Sequence, residues 1–185
     1  MRIAVYPGSF DPLHIGHRAI MEQLTASCGF DRVYLVISPQ NPFKDPSRAE
    51  TAEQRYRAAV EAVRRHPGLR VQADDIELGM PLPTYTIRTL DALKAREPDN
   101  DFTLVIGADN LQGIRRWRDA GRILTEYGVT VYPRKGFDMQ RLRAELLAEN
   151  RAYDIRLIDA PVVDISSTRI REMQAQGLDV SGYLM

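Results

Sequence analysis

Residues 3–17 read IAVYPGSFDPLHIGH, and this stretch decides the fold. Its first four residues are apolar, with β-branched and aromatic members, which predicts a strand over 3–6. A turn that contains proline and glycine follows, and a helix is expected to begin near His14. A strand that passes through a tight turn into a helix is typical of the opening unit of an α/β domain.

The same alternation of strand and helix continues along the chain. Apolar runs predict further strands at 33–37, 69–71, 102–106, 129–132 and 155–158. Helical stretches are predicted at 15–28, 50–65, 85–96, 119–126, 138–149 and 167–176. We therefore expect one domain over residues 1–185, a Rossmann-like doubly wound α/β fold whose mainly parallel sheet has helices on both faces. Ligands of such folds bind outside the carboxyl ends of the strands, where the strand order reverses.

Composition narrows the classes of function. Hydrophobic residues make up 44% of the 185 residues and charged residues 27%, which is typical of a soluble globular enzyme. The formal net charge is zero, so neither nucleic acid nor a membrane surface is expected as a partner. Cys28 is the single cysteine and can close no intramolecular disulfide. The N-terminus resembles a strand rather than a signal peptide, and no apolar run is long enough to cross a bilayer, so we expect a cytoplasmic protein.

The turn after the first strand is suited to binding an anion. Gly8 allows a close approach of the backbone, and the N–H groups of the loop and of the helix N-terminus would point toward a phosphate. The turn matches neither GxGxxG nor GxxxxGK[ST]. We therefore infer no dinucleotide cofactor and no P-loop.

His14 and His17 are three residues apart and share one face of the first helical turn. Gly16 lies between them and has no side chain, which leaves room for a ligand. Imidazoles there can donate hydrogen bonds to phosphate oxygens and stabilise charge that builds up on phosphorus under attack. The alternative is that one histidine of the pair lies on the surface and the other in the core. This alternative agrees less well with the position of the pair after a strand and a glycine turn. His66 is interpreted as a helix cap or a solvated residue.

Two separated signatures resemble the nucleotidyltransferase superfamily, which includes class I aminoacyl-tRNA synthetases and small adenylyltransferases. The first is HIGH at 14–17, and the second is ISSTRIR at 165–171, similar to the ISSTxxR of the small enzymes. Three further strings match one branch of that superfamily: PQNPFKD at 39–45, PTYTIRTL at 83–90, and IGADN at 106–110 with Trp117 following. That branch is the bacterial nicotinate-nucleotide adenylyltransferases, which join nicotinate mononucleotide and ATP into nicotinate adenine dinucleotide (deamido-NAD) and release pyrophosphate.

The resemblance implies phosphate contacts from both signatures. It assigns the contacts with the triphosphate and the reacting α-phosphate to the first turn, through Ser9, Phe10, His14 and His17. It assigns the contacts with the β- and γ-phosphates to the second signature, through Ser166, Ser167 and Arg171. Lys44 would neutralise the phosphates from the loop after the second strand. The family often has a PPHK loop, and this chain has Phe43 where the family has histidine, so one phosphate contact would be lost. Read without the resemblance, the Ser166 region is simply a helix cap.

On the acceptor side, the resemblance implies a nicotinate pocket lined by Thr84, Tyr85 and Thr86, with Trp117 stacked on the pyridine ring. From the residues alone, Trp117 fits packing in the core or under a lid equally well. Backbone N–H groups at 84–86 would favour the acid over the amide. The arginines that flank Trp117 are more typical of a solvated face.

Gly107 and Asp109 would contact adenosine or ribose hydroxyls. An aspartate at the carboxyl end of a strand can also cap the next turn, and we favour the hydroxyl contact. Arg55 is interpreted as a surface or structural residue and is not placed in the site.

The implied reaction is attack of a mononucleotide phosphate on the α-phosphorus of ATP. The second pKa of a phosphomonoester is ~6, so the nucleophile is already an anion and no general base is needed. The site must supply in-line positioning and charge stabilisation. Mg²⁺ bridging the leaving pyrophosphate would be held mostly by phosphates and water rather than by a protein cage.

Three alternatives remain open. The same type of transfer could use another acceptor, such as nicotinamide mononucleotide or pantetheine phosphate. The group transferred could also be cytidylyl instead of adenylyl. A synthetase-like core is disfavoured by the chain length and by the zero net charge. A non-catalytic nucleotide sensor is disfavoured by the intact histidine pair. The expected partners are ATP and nicotinate mononucleotide, and a homo-oligomer stays open.

Overall fold

The structure, a computed structural model, describes residues 1–39, 51–161 and 165–185. Its strands form a six-stranded sheet in which every pairing is parallel. The strands are β1 (Arg2–Gly8), β2 (Arg32–Ile37), β3 (Val71–Asp74), β4 (Asp101–Gly107), β5 (Val129–Tyr132) and β6 (Ile155–Leu157). Their order across the sheet is β3-β2-β1-β4-β5-β6, so the order reverses between β1 and β4. This topology confirms the predicted doubly wound fold.

Helices connect the strands. They are α1 (Ile15–Ala26), α2 (Ala52–Arg64), α3 (Thr86–Arg96), α4 (Ala108–Gly113), α5 (Ala120–Arg122), α6 (Met139–Glu149) and α7 (Ser167–Ala175). A 3₁₀ turn at Ile76–Gly79 precedes α3, and a π turn at Ile123–Tyr127 follows α5. Within the described ranges, none of these helices has the length and apolar character needed to cross a membrane.

The central strand β1 contributes to two cores, one on each face of the sheet. Ile3 and Val5 pack with side chains of α3, α4 and α6, whereas Ala4 and Tyr6 pack with side chains of α1 and α2. Successive side chains of a strand point to opposite faces, and here both faces are covered by helices. The uninterrupted apolar run at 3–6 follows from this double burial.

The helix α4 was not predicted, and two predicted elements differ from the expectation in position or form. The third strand was expected at 69–71 and lies at Val71–Asp74, because residues 71–74 are the ones that pair with residues 33–36 of β2, whereas Leu69 packs from the preceding connection. The helix expected at 119–126 begins after Asp119, which has a left-handed backbone with φ of 52°, and it continues as the π turn.

The reversal of strand order places a crevice at the carboxyl ends of β1 and β4. After β1 the chain enters α1 on one face, and after β4 it enters α4 on the other. The residues at this edge are Gly8 and Gly107, the last residues of the two strands. The turn that carries the histidine pair and the turn that carries Asp109 therefore lie side by side.

Candidate active site

The turn after β1 is shaped by Phe10, whose backbone has a positive φ of 45°. The Phe10 ring is buried and lies directly over Gly8, where an added Cβ would stand 2.8 Å from the ring. The same ring meets the His17 imidazole edge to face, with 5.0 Å between centroids. Gly8 therefore permits the close approach of a side chain of this protein, and the ring of Phe10 supports His17. The backbone of Phe10, rather than its ring, is the part available to a phosphate.

His14 is the N-cap of α1, and its side chain and that of His17 both accept backbone hydrogen bonds. The Gly16 N–H donates to His14 Nδ1 at 3.1 Å, and the His14 N–H donates to His17 Nδ1 at 3.2 Å. The two rings stack with 3.7 Å between centroids. A neutral imidazole whose Nδ1 accepts a hydrogen bond carries its proton on Nε2. Each ring thus has its Nε2–H left to donate to a ligand.

Both imidazoles are neutral at physiological pH. Burial, with a further contribution from the charge of Arg134, lowers the pKa of His14 to about 4. Burial lowers the pKa of His17 well below its ordinary value, and His14 and Arg134 lower it further. Because charge on either ring is disfavoured, the pair presents hydrogen-bond donors rather than cations.

Arg134 supplies a permanent positive charge at this site. It lines one cleft together with His14 and His17, and its guanidinium lies over the Tyr132 ring, 5.0 Å from the centroid. Tyr132 in turn meets Tyr6 edge to face at 5.8 Å, and burial raises the pKa of Tyr6. Sequence reasoning missed Arg134 and Tyr132. The available signal was their position at the carboxyl end of a predicted strand, where ligands of this fold bind.

Asp109 lies at the start of α4 and faces Arg134, with 3.7 Å between Oδ1 and Nε. This contact requires glycine at 107, because an added Cβ there would stand 2.3 Å from Asp109 Oδ1 and 3.1 Å from Arg134 Nε. The carboxylate is about half exposed, so it is accessible from the cleft. The structure thus brings Gly107 and Asp109 to the same edge as the histidines.

The second signature is docked onto the first turn. Ser167 Oγ donates to the Pro12 carbonyl at 2.9 Å, and Arg171 donates to the Asp11 carbonyl and pairs with the Asp11 carboxylate at 3.6 Å. Ser166 caps α7 by accepting from the Arg169 N–H at 3.2 Å. The N-termini of α1 and α7 are therefore adjacent, and two helix dipoles are directed toward the same region.

Arg55 holds the turn from the other side. Its guanidinium is buried and donates to the carbonyls of Ser9 at 2.6 Å, Ser38 at 2.9 Å and Pro39 at 3.0 Å. The structural interpretation of Arg55 is confirmed, and the surface interpretation is wrong. Its spacing from the buried Ala59 and Ala62 on the same helix face was the available signal.

The two segments expected to bind the acceptor lie together. Tyr85 is the N-cap of α3, and both Tyr85 and Trp117 are partly buried against the same core. The Arg118 guanidinium lies over the Tyr85 ring at 4.8 Å from its centroid, which joins the segment 84–86 to the segment around Trp117. Glu77, buried beneath this region, accepts from Thr89 Oγ1 at 2.8 Å.

Glu77 was not singled out from the sequence, because it lies in a short 3₁₀ turn outside the predicted elements. Burial raises its pKa, and hydrogen bonds from Thr89, Ser38 and Thr84 oppose that rise. The carboxylate therefore connects the end of β2 to the segment that begins the acceptor region. Lys44 and Phe43 lie outside the described residues, and their predicted roles stay predictions.

A sequence model of the family described as cytidylyltransferase-like matches residues 5–173. The probable nicotinate-nucleotide adenylyltransferase of Bacteroides fragilis is 37% identical over 183 residues, which cover 99% of this chain and 87% of that relative. The probable nicotinate-nucleotide adenylyltransferase of Rubrobacter xylanophilus is 34% identical, over 97% of this chain and 84% of that relative.

The solved structures agree on the fold. Plasmodium falciparum nicotinic acid mononucleotide adenylyltransferase, in complex with NaAD, superposes with a TM-score of 0.79 at 18% identity, over 99% of this chain and 90% of that chain. A putative nicotinate-nucleotide adenylyltransferase of Vibrio parahaemolyticus superposes with a TM-score of 0.66 at 23% identity, over 100% and 93%. This chain therefore belongs to the cytidylyltransferase-like family and, within it, to the nicotinate-nucleotide adenylyltransferases.

Proposed function

We propose that this protein transfers the adenylyl group of ATP to nicotinate mononucleotide, forming nicotinate adenine dinucleotide and pyrophosphate in NAD biosynthesis. One observation carries the proposal: the two neutral imidazoles at the N-terminus of α1 share a cleft with Arg134 at the point where the strand order reverses. The relatives that are named for this activity cover almost the whole chain and support the choice of acceptor.

In this reaction an oxygen of the acceptor phosphate attacks the α-phosphorus of ATP. A new phosphorus–oxygen bond forms, and the bond from the α-phosphorus to the bridging oxygen of pyrophosphate breaks. The acceptor phosphate is already an anion at neutral pH, since its second pKa is ~6, so no side chain has to remove a proton. Negative charge grows on the oxygens around phosphorus, and a site that stabilises it lowers the barrier.

His14 and His17 suit this task as hydrogen-bond donors. Their Nδ1 atoms are occupied by backbone N–H groups, so their Nε2–H groups are the donors that phosphate oxygens would accept from. A neutral imidazole keeps its remaining proton at any physiological pH, and it therefore polarises an oxygen without transferring a proton. Arg134 adds a charge that does not titrate, at the same cleft.

The pyrophosphate end is assigned to the paired helix N-termini. The guanidinium of Arg171 contacts Asp11 and Thr168, and these contacts use only part of its five N–H donors. The remaining donors, with Ser9, Ser166 and Ser167 nearby, would bind the β- and γ-phosphates. Lys44 would add a second cation from the loop after β2.

Mg²⁺ would enter with ATP as part of the substrate. In the ranges 1–39, 51–161 and 165–185, no three His, Cys, Asp or Glu side chains converge on a position that could hold a metal ion. In the proposed complex this ion would be held mainly by phosphate oxygens and water. Asp109, exposed at the end of β4, would accept hydrogen bonds from ribose hydroxyls.

The test is a product analysis. The protein is incubated with MgATP and one acceptor at a time: nicotinate mononucleotide, nicotinamide mononucleotide or phosphopantetheine. Pyrophosphate is quantified, and the second product is identified by mass spectrometry. We expect nicotinate adenine dinucleotide with the highest kcat/KM. A folded sample with a higher kcat/KM for another acceptor, or with no pyrophosphate release in the presence of any of the three, would refute the proposed acceptor.

A further inference from the structure

We propose that Arg88 and Arg118 select the acceptor that carries a carboxylate on its pyridine ring over the acceptor that carries a carboxamide, because both guanidinium groups lie over Tyr85 and neither is paired with an acid. The inference deepens the proposed function and rests on it. It assigns selectivity to Arg118, one of the arginines beside Trp117 that the sequence indicates are solvated, and to Arg88, which the sequence analysis did not single out.

The geometry around Tyr85 is the first observation. The guanidinium carbon of Arg118 is 4.8 Å from the centroid of the Tyr85 ring, and that of Arg88 is 5.5 Å from it. Arg88 is in the first turn of α3, and Arg118 directly follows Trp117 in the chain. Two cations from two separate segments thus converge on one aromatic ring, in the region expected to receive the pyridine.

The absence of acidic partners is the second observation. Other arginines on the same side of the sheet are neutralised: Arg115 pairs with Glu149, and Arg122 pairs with Asp91. Within the described ranges, neither Arg88 nor Arg118 has a carboxylate oxygen within 4.0 Å of its guanidinium, and neither side chain has a hydrogen-bonding partner there. Both residues are exposed, so their guanidinium groups are accessible to a ligand.

The chemistry of the two acceptors makes this charge selective. A guanidinium that stacks on an aromatic face keeps its N–H groups in its own plane, where they can bind a carboxylate in bidentate fashion. The carboxylate of nicotinate is an anion at neutral pH, whereas a carboxamide is neutral and brings N–H donors toward the same cations. Arg88 and Arg118 therefore stabilise the bound acid and do not stabilise the bound amide.

A purely structural role is the competing explanation, in which the arginines only support Tyr85. That role would affect both acceptors alike, since each pyridine would lose the same support. Selectivity is thus the property that separates the two explanations, and it is measured as the ratio of kcat/KM for nicotinate mononucleotide to kcat/KM for nicotinamide mononucleotide.

The experiment compares Arg118→Gln, Arg88→Gln and the double variant with the wild type, at saturating MgATP. Each single variant should lower kcat/KM for nicotinate mononucleotide about 10-fold, the usual cost of losing a hydrogen bond to a charged group, and the double variant should lower it further. kcat/KM for nicotinamide mononucleotide should change less than about 3-fold. Arg118→Lys keeps the charge but loses the planar pair of N–H donors, so it should retain only part of the selectivity.

Arg116→Gln is the matched control, because this arginine is exposed in the same segment and does not lie over the Tyr85 ring. It should leave the ratio unchanged. An unchanged ratio in the double variant, or an equal loss with both acceptors, would overturn the assignment to Arg88 and Arg118 while the proposed function stands. If the wild type turns over neither acceptor, the proposed function itself is overturned, and this assignment with it.

Discussion

Replacing His14 with asparagine should make the protein less sensitive to acid. In the folded protein the pKa of His14 is about 4, against an ordinary value of 6.5. Between these two pH values the unfolded chain binds a proton at this position and the folded protein does not. Protonation therefore favours the unfolded state, so stability is complete above about pH 6.5 and is lost as the pH falls toward 4.

The size of the effect follows from the shift. A separation of about 2.5 units gives a loss of about 2 kcal/mol in the free energy of unfolding on going from pH 7.5 to pH 5, and about 3 kcal/mol near pH 4, from His14 alone. His14 is almost fully buried, so solvent screening reduces this value little. Asparagine does not titrate, and its side chain can still accept the Gly16 N–H as a helix cap.

Urea denaturation at pH 7.5 and pH 5 measures the difference. The variant should lose about 2 kcal/mol less than the wild type between the two pH values. His66→Asn serves as the control for replacing a histidine by asparagine, because this histidine lies outside the cleft and contacts the Ala62 carbonyl. Equal losses for His14→Asn and the wild type would show that His14 is not held neutral by the fold.

Three further substitutions test other contacts of the site. Arg134→Gln should lower kcat/KM for ATP about 100-fold by removing the untitrated charge, and a pyrophosphate-release assay that shows less than a 3-fold loss would contradict this. Gly107→Ala should raise KM for ATP several-fold and leave KM for the acceptor unchanged, because the new Cβ displaces the Asp109 carboxylate. If calorimetry gives the variant and the wild type the same affinity for ATP, the Asp109 contact is refuted. Arg55→Ala should lower the free energy of unfolding by about 3 kcal/mol, since three carbonyls lose their buried donor, and a loss below about 1 kcal/mol in urea denaturation would mean that water replaces it.

Much of the fold could be predicted because its signals are local. The apolar run at 3–6 and the turn at Gly8 indicated a strand leading into a helix, and the histidine spacing indicated a shared face. The third strand lies later than predicted because residues 71–74 pair with residues 33–36 of β2, and no local pattern contains that register.

The residues missed at the site come from separate elements. Arg134, which was missed, follows β5, whereas Asp109, which was predicted, follows β4. Only the order of the strands brings the two side chains within 3.7 Å of each other. Glu77 and Arg55 are charged residues that are buried by contacts distant in sequence, against their usual exposure. The assigned roles of Ser166, Ser167 and Arg171 stay predictions, and the structure adds that these side chains also hold the two signatures together.

The most direct test of the central claim is the rate of the chemical step in His17→Asn. The wild type and the variant are mixed with MgATP and saturating nicotinate mononucleotide in a single turnover, and dinucleotide formation is followed by rapid quench. If His17 stabilises the charge that develops around phosphorus, the rate constant should fall by a factor of about 100 or more, while the dissociation constant of ATP changes less than about 3-fold. An unchanged rate constant, or a loss confined to ATP affinity, would contradict the account.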